Sequence, residues 1–156
     1  SRAEGGGGVV RQAEFIELYQ PEQASVSIGG NDIGLMAKLK SCLSPGVCEW
    51  ASNQMRASVA EEIDQIYTSV RSMLELLTAA SPATQLLVVG YPIPIEAEEP
   101  CHGVSGWLFT AEERELFSNS IQRLNRVLYE AARDSGVTYK DISHAFAGSG
   151  LCAIKS

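Results

Sequence analysis

The spacing of apolar residues along the chain predicts three amphipathic helices and three short strands. In the segment 52–80, apolar residues recur at three- and four-residue steps, which is the period of a helix with one buried face. The same period returns between 111 and 134 and, more loosely, between 10 and 19. A continuous apolar run at 86–89 predicts a strand covered on both faces. Short strands are also predicted at 24–28 (Ala-Ser-Val-Ser-Ile) and at 137–142, where apolar and polar residues alternate.

The ends of the two long helices carry local signals. Ser81-Pro82 ends the first, because proline cannot continue the helical hydrogen bonds. Thr110 and Glu113 have the spacing of a capping box, in which the hydroxyl and the carboxylate each accept a hydrogen bond from a free backbone N–H. Ser135-Gly136 ends the second helix. A further short helix is predicted over 34–40.

The resulting order is helix, strand, helix, strand, helix, strand. It contains two strand–helix–strand units, which favour a parallel sheet with right-handed crossovers and hence an α/β fold. Ligands of such sheets bind beyond the carboxyl ends of the strands. We therefore expect the candidate site among residues 29–34, 90–94 and 143–150. Four successive glycines predict a flexible segment over 1–9, ahead of one domain over 10–156.

Composition and charge narrow the classes of function. The 156 residues are 45% hydrophobic and 20% charged, which suits one globular domain. No apolar run approaches the roughly 20 residues of a membrane-spanning helix. The net charge is −7 and the basic residues are scattered. We therefore expect no membrane span, and no nucleic-acid partner, since such proteins usually carry a basic patch. We expect a monomer.

The four cysteines are Cys42, Cys48, Cys101 and Cys152. They include no Cys-x-x-Cys pair, which excludes a zinc ribbon or a thioredoxin-type motif. Four cysteines allow three pairings. Cys42 and Cys48 bracket a turn-rich loop that could close on itself, which would leave Cys101 with Cys152. Disulfides would indicate an oxidising compartment, and four reduced, buried thiols in a cytosolic protein are the alternative.

The strongest candidate for chemistry follows the strand at 24–28. The chain continues as Gly-Gly-Asn-Asp-Ile-Gly over 29–34, which brings Asn31 and Asp32 to the ligand edge of the sheet. An amide held there can donate a hydrogen bond to a developing negative charge. The alternative is a tight turn in which Asn31 and Asp32 cap the helix that follows.

The segment 28–34 resembles the third sequence block, Gly-x-Asn-Asp, of the SGNH hydrolases, also called GDSL esterases and lipases. Three further segments resemble the secreted, disulfide-bearing branch of this family, in the same order along the chain. They are the loop 42–50, the strand end Val-Gly-Tyr-Pro at 89–92, and the segment 137–152. The resemblance covers roughly residues 10–152 and implies the middle part of an SGNH-hydrolase domain.

This resemblance implies a three-layer α/β/α sandwich of the flavodoxin-like type, incomplete at both ends. It also implies ester hydrolysis, in which a serine attacks the carbonyl, a histidine acts as general base and an aspartate orients the histidine. Asn31 would donate to the oxyanion. Gly29 and Gly30 would let the backbone turn and the substrate approach, and Asp32 would hold the loop.

The same resemblance implies a secreted protein with the disulfides Cys42–Cys48 and Cys101–Cys152. Its substrate would be a small-molecule, lipid or carbohydrate ester, among which the sequence does not discriminate. We expect no cofactor and no metal ion. The acidic loop at 96–99 is interpreted as solvated, and His102 as structural or solvated.

The chain departs from the family at the catalytic blocks. The Gly-Asp-Ser block that carries the nucleophile is absent, and the first residues lack an initiator Met and an apolar signal segment. We therefore expect a processed chain or part of a longer one. One formal match to the Asp-x-x-His block exists, from Asp141 to His144. No proline follows it, and in this branch of the family the catalytic block lies later, so we favour a turn with a surface histidine over a catalytic pair.

Two functions remain. The chain is either the middle of a secreted SGNH ester hydrolase, completed by segments outside it and inactive alone, or a non-catalytic binding or structural module with the same scaffold. A Gly-Asp-Ser block upstream and an Asp-x-x-His-Pro block downstream would favour the hydrolase.

Overall fold

The computed structural model describes residues 2–5, 8–34, 53–95 and 110–152. This part of the chain contains five strands and three helices. In chain order they are β1 (Arg2–Gly5), β2 (Gly8–Arg11), α1 (Gln12–Tyr19), β3 (Gln23–Val26), α2 (Asn53–Ala80), β4 (Gln85–Val89), α3 (Ala111–Asp134) and β5 (Thr138–Lys140).

Strands β3, β4 and β5 form one parallel sheet in that order. In its register, Ala24 lies beside Leu86, and Val88 lies beside Tyr139. The predicted α/β class with a parallel sheet is therefore confirmed. Because the strands are parallel, their carboxyl ends lie at one edge of the sheet, and the segments that follow them leave from that edge.

The helices cover one face of this sheet. Along β4, Leu86 and Val88 are buried, whereas Leu87 and Val89 on the other face are half-buried. Val88 packs into the main core with α2 and α3, and Leu86 packs with α1 and the end of α2. Neither Leu87 nor Val89 joins a core cluster of the described residues. These residues thus form two of the three layers of the predicted sandwich.

The apolar faces predicted for the two long helices form the core. The predicted face of α2 is at most 6% exposed and consists of Val59, Ile63, Ile66, Val70, Leu74 and Leu77. That of α3 is at most 4% exposed and consists of Phe117, Ile121, Leu124, Leu128 and Ala131. The predicted capping box begins α3: the Glu113 N–H donates to the Thr110 hydroxyl at 3.2 Å, and the Thr110 N–H donates to the Glu113 carboxylate at 2.7 Å.

The N-terminal part differs from the sequence-based expectation. The glycine-rich segment 1–9 was interpreted as flexible, but it contains strand β1 and the start of β2. These two strands pair antiparallel, with Arg2 beside Arg11 at one end and Gly5 beside Gly8 at the other. The β-branched Val9 and Val10 favour strand β2. Helix α1 therefore begins at Gln12 rather than at residue 10. The division into 1–9 and 10–156 stays a prediction.

The parallel strands are shorter than predicted at their carboxyl ends. β3 ends at Val26 and β5 spans only Thr138–Lys140. β5 ends opposite Val89, the last residue of β4, whereas β3 ends one residue earlier, opposite Val88. Residues 27–28 and 141–142 are consequently released into the segments at the ligand edge.

Several predictions concern residues outside the described part: the helix at 34–40, the acidic loop at 96–99, His102 and three of the four cysteines. Cys152 is described; it is 2% exposed and disulfide-bonded. Because its partner lies outside the described residues, both predicted pairings stay predictions. Among the described helices, none has the length and apolar character needed to cross a membrane.

Candidate functional site

The segment after β3 folds into a turn that presents Asn31. Gly29 has φ +92°, a left-handed conformation that glycine adopts without strain. The Gly34 N–H donates to the Asn31 carbonyl at 3.0 Å and closes the turn. Ile33 is 3% exposed and anchors the turn in the main core. We call residues 29–34 the Asn31 loop.

Gly29 and Gly30 lie where the loop touches its neighbours. A β-carbon on Gly29 would lie 3.3 Å from Ile66 and 3.4 Å from Leu124. A β-carbon on Gly30 would lie 2.8 Å from the Tyr91 hydroxyl oxygen, a distance that real β-carbons essentially never show. At both positions the close approach of the backbone depends on the absence of a side chain.

The Asn31 side chain points away from this packing. It is exposed, as is Asp32, and neither side chain makes a hydrogen bond with the residues that the structure describes. The expected loop-holding role of Asp32 stays a prediction.

Asp141 and His144 lie at the end of β5 and border an open groove of about 620 Å³. Across this groove lie Arg126 and Tyr129 of α3. The Ser143 N–H donates to an Asp141 carboxylate oxygen at 2.8 Å. This bond, together with one from the Ser143 hydroxyl, holds the pKa of Asp141 below its ordinary value. An aspartate that accepts from the N–H two residues later is the mark of an Asx turn.

The structure does not bring the two candidate segments together. β4 lies between β3 and β5, so the two outer strands are about 10 Å apart. No residue of the Asn31 loop lines the groove beside His144. Among the described residues, no serine hydroxyl is hydrogen-bonded to a histidine, and no group of three or more His, Cys, Asp or Glu side chains is arranged to hold a metal ion.

Solved structures of two Streptomyces enzymes have this fold. An extracellular lipase from Streptomyces rimosus superposes with a TM-score of 0.61 at 25% identity, over 85% of this chain and 54% of the lipase. Phospholipase A1 from Streptomyces albidoflavus superposes with a TM-score of 0.62 at 26% identity, over 90% of this chain and 61% of the phospholipase. The chain carries part of an SGNH-hydrolase fold.

Sequence comparison agrees with this SGNH-type assignment. The chain is 28% identical to a lipase from Streptomyces rimosus over 136 residues, which cover 83% of this chain and 46% of the lipase. It is 26% identical to Lipase 1 from Streptomyces coelicolor over 135 residues, with the same coverage. No protein-family model matches the chain. The chain thus spans about half the length of the curated relatives it matches.

Two polar residues connected to the Asn31 loop, one directly and one through the other, were missed from the sequence. Tyr91 follows β4, and its hydroxyl accepts a hydrogen bond from the Gly30 N–H at 3.0 Å. Asn125 is 8% exposed on the buried side of α3 and hydrogen-bonds the backbone of Tyr91. The sequence did carry a signal for Asn125, because its amide lies next to the apolar positions Leu124 and Leu128. A polar side chain buried on such a face needs a hydrogen-bond partner.

Proposed function

We propose that the intact protein, meaning the full reading frame that contains this chain, is a secreted ester hydrolase in which Asn31 donates to the oxyanion. The observation that carries this proposal is the exposed Asn31 amide at the carboxyl end of a parallel strand, without a hydrogen bond to the described residues. The fold shared with a lipase and a phospholipase supports it.

The proposed reaction divides the chemistry between this chain and the rest of the protein. A serine outside the chain attacks the ester carbonyl, and a histidine outside the chain removes the serine proton. Negative charge then develops on the carbonyl oxygen. The Asn31 amide donates to that oxygen, and because its charge is greater in the transition state than in the bound ester, the hydrogen bond accelerates the reaction. The bond to the alcohol then breaks as the histidine gives its proton to the departing alcohol oxygen. Water attacks the acyl-serine with the same histidine as base, which releases the acid and restores the serine.

In this proposal Asp141 and His144 take no part in the reaction. Asp141 accepts a hydrogen bond from Ser143 within its own turn, and His144 is exposed beside a groove that the Asn31 loop does not reach. A general base must lie within hydrogen-bond reach of the proton it removes. The pair is therefore assigned to the turn after β5.

The proposed substrates are lipid esters. The relatives are named lipase, and one structural neighbour is named phospholipase A1. These names favour a fatty acyl ester over a carbohydrate ester. No cofactor is needed, because the serine, the histidine and the oxyanion donors carry the whole reaction.

Hydrolysis by the intact protein, compared with this chain alone, tests the proposal. We expect the intact protein to cleave an aryl butyrate ester and to be labelled by a fluorophosphonate, which reacts with activated serines. The 156-residue chain produced alone is expected to do neither, because it lacks the nucleophile. If the intact protein neither cleaves esters nor is labelled, the non-catalytic module is the correct interpretation. Turnover by the isolated chain that disappears in His144→Ala would place the catalytic pair at Asp141 and His144.

We further propose secretion with the disulfides Cys42–Cys48 and Cys101–Cys152. The extracellular lipase among the structural neighbours and the buried, disulfide-bonded Cys152 support this. Peptide mapping of the secreted protein without reductant is expected to recover both pairs, and the same digest after reduction serves as the control. Four thiols that alkylate without reduction would contradict the pairing and the oxidising compartment.

A further inference from the structure

We propose that Tyr91 is a positioning residue for the oxyanion donor: its hydroxyl holds the Gly30 amide and thereby sets the direction of Asn31. This inference depends on the role proposed above for Asn31. It adds a residue from the neighbouring strand end that acts on the reaction only through the Asn31 loop.

The contact between Tyr91 and the loop is direct and close. The Gly30 N–H donates to the Tyr91 hydroxyl oxygen at 3.0 Å, across 61 residues of sequence. Gly30 is buried, and the space that its β-carbon would take is filled by the Tyr91 ring, at 2.8 to 3.0 Å from the nearest ring and hydroxyl atoms. The residue immediately before Asn31 is therefore packed and hydrogen-bonded against one side chain.

Tyr91 is itself held by α3. Its N–H donates to the Asn125 side-chain oxygen at 2.7 Å, and its carbonyl accepts from the Asn125 side-chain nitrogen at 2.8 Å. The oxygen and the nitrogen of the Asn125 amide thus both form hydrogen bonds with the backbone of Tyr91. Since α3 packs in the main core, this pair of bonds connects a rigid helix to Tyr91, and Tyr91 connects to the Asn31 loop.

Apolar packing of Gly29 and Ile33 anchors the loop in the core, and the bond to Tyr91 adds a polar constraint directly before Asn31. Among the described residues, the bond to Tyr91 is the one side-chain hydrogen bond that another element makes with residues 29–34. Within the loop, the Ile33 N–H lies 3.4 Å from the Gly29 carbonyl oxygen, a long hydrogen bond, and the Gly34 N–H lies 3.0 Å from the Asn31 carbonyl oxygen. An oxyanion donor must lie about 2.7–3.1 Å from the oxygen it stabilises, and a misplacement of about 1 Å can cost about 10²-fold in rate.

The test replaces the hydroxyl alone. In the intact enzyme, Tyr91→Phe keeps the ring in place and removes the acceptor for Gly30. We expect kcat to fall about tenfold with KM little changed, since the loss of one neutral hydrogen bond is of this order. Hydrogen exchange of the Gly30 amide is expected to rise by a similar factor, which gives a readout independent of activity.

Tyr67→Phe is the matched control. The Tyr67 hydroxyl donates to Asp134 at 2.6 Å, and its half-buried ring packs against the same core as the Tyr91 ring. Asp134 lies at the C-terminal end of α3, just before β5, and so at the edge of the sheet opposite Asn31. This variant also loses a tyrosine hydroxyl bond, here one that the hydroxyl donates to an exposed carboxylate, and kcat is expected to stay within about twofold of the parent value.

A double-mutant cycle separates positioning from general support of the fold. If Tyr91 acts through Asn31, Tyr91→Phe should lower kcat no further in an enzyme that already carries Asn31→Ala. An equal loss in both backgrounds, or an unchanged kcat and unchanged Gly30 exchange in Tyr91→Phe alone, would overturn the inference while leaving the role of Asn31 intact. An unchanged kcat in Asn31→Ala alone would overturn both.

Discussion

Replacement of Asn31 by alanine in the intact protein is expected to lower kcat by about 10²–10³, the usual cost of removing one oxyanion donor. The Asn31 amide is exposed at the end of β3 and makes no hydrogen bond with the described residues. The substitution therefore removes no described side-chain hydrogen bond of the fold, and the loss of rate would belong to the reaction.

Two variants sharpen this measurement with an aryl ester as substrate. Asn31→Asp has nearly the same shape but cannot donate when ionised, so it is expected to lose as much activity as the alanine variant. Asn119→Ala removes an exposed amide from the surface of α3 and is expected to retain the parent kcat. An Asn31→Ala enzyme with the parent kcat would remove the oxyanion role and most of the proposed mechanism with it.

Leu124→Ala is expected to destabilise the intact protein by about 2–5 kcal/mol, the range for a leucine truncated in a packed core. Leu124 is 0% exposed on α3. Its side chain would lie 3.4 Å from a β-carbon placed on Gly29, so it forms part of the floor under the Asn31 loop. The cavity left by alanine should therefore weaken the core and the support of the loop together.

Urea unfolding of the intact protein measures this change. Leu76→Ala provides the control, because Leu76 lies on α2 but is 55% exposed. Surface substitutions of this kind usually change the free energy of unfolding by no more than about 0.5 kcal/mol. Similar losses in the two variants would show that Leu124 is not part of a tightly packed core.

The sequence alone determined the elements whose signals are local. The apolar periods of α2 and α3 lie within single segments, and the residues they mark are the buried ones. The capping box at Thr110 and Glu113 involves residues three apart, and its two hydrogen bonds form as predicted. The order of strands and helices was sufficient to predict the parallel sheet, because strands joined through a helix pair in parallel.

The surroundings of the candidate site were decided only by the tertiary structure. The bond from Gly30 to Tyr91 joins residues 61 apart, and the bonds from Tyr91 to Asn125 join residues 34 apart. No periodicity or short motif relates such positions. They meet because the parallel sheet places the ends of β3 and β4 side by side and packs α3 against them.

The segments that carry Asn31 and His144 also show which features are local and which depend on the tertiary structure. Asn31 and His144 each follow a strand, so both were expected at the ligand edge of the sheet. Strand order then separated them, since β4 lies between their strands, and the short-range bond from Ser143 made Asp141 part of a turn. The residue types and their local spacing could be predicted from the sequence. The distance between the two segments could not, because only strand pairing determines which strand ends become neighbours in the sheet.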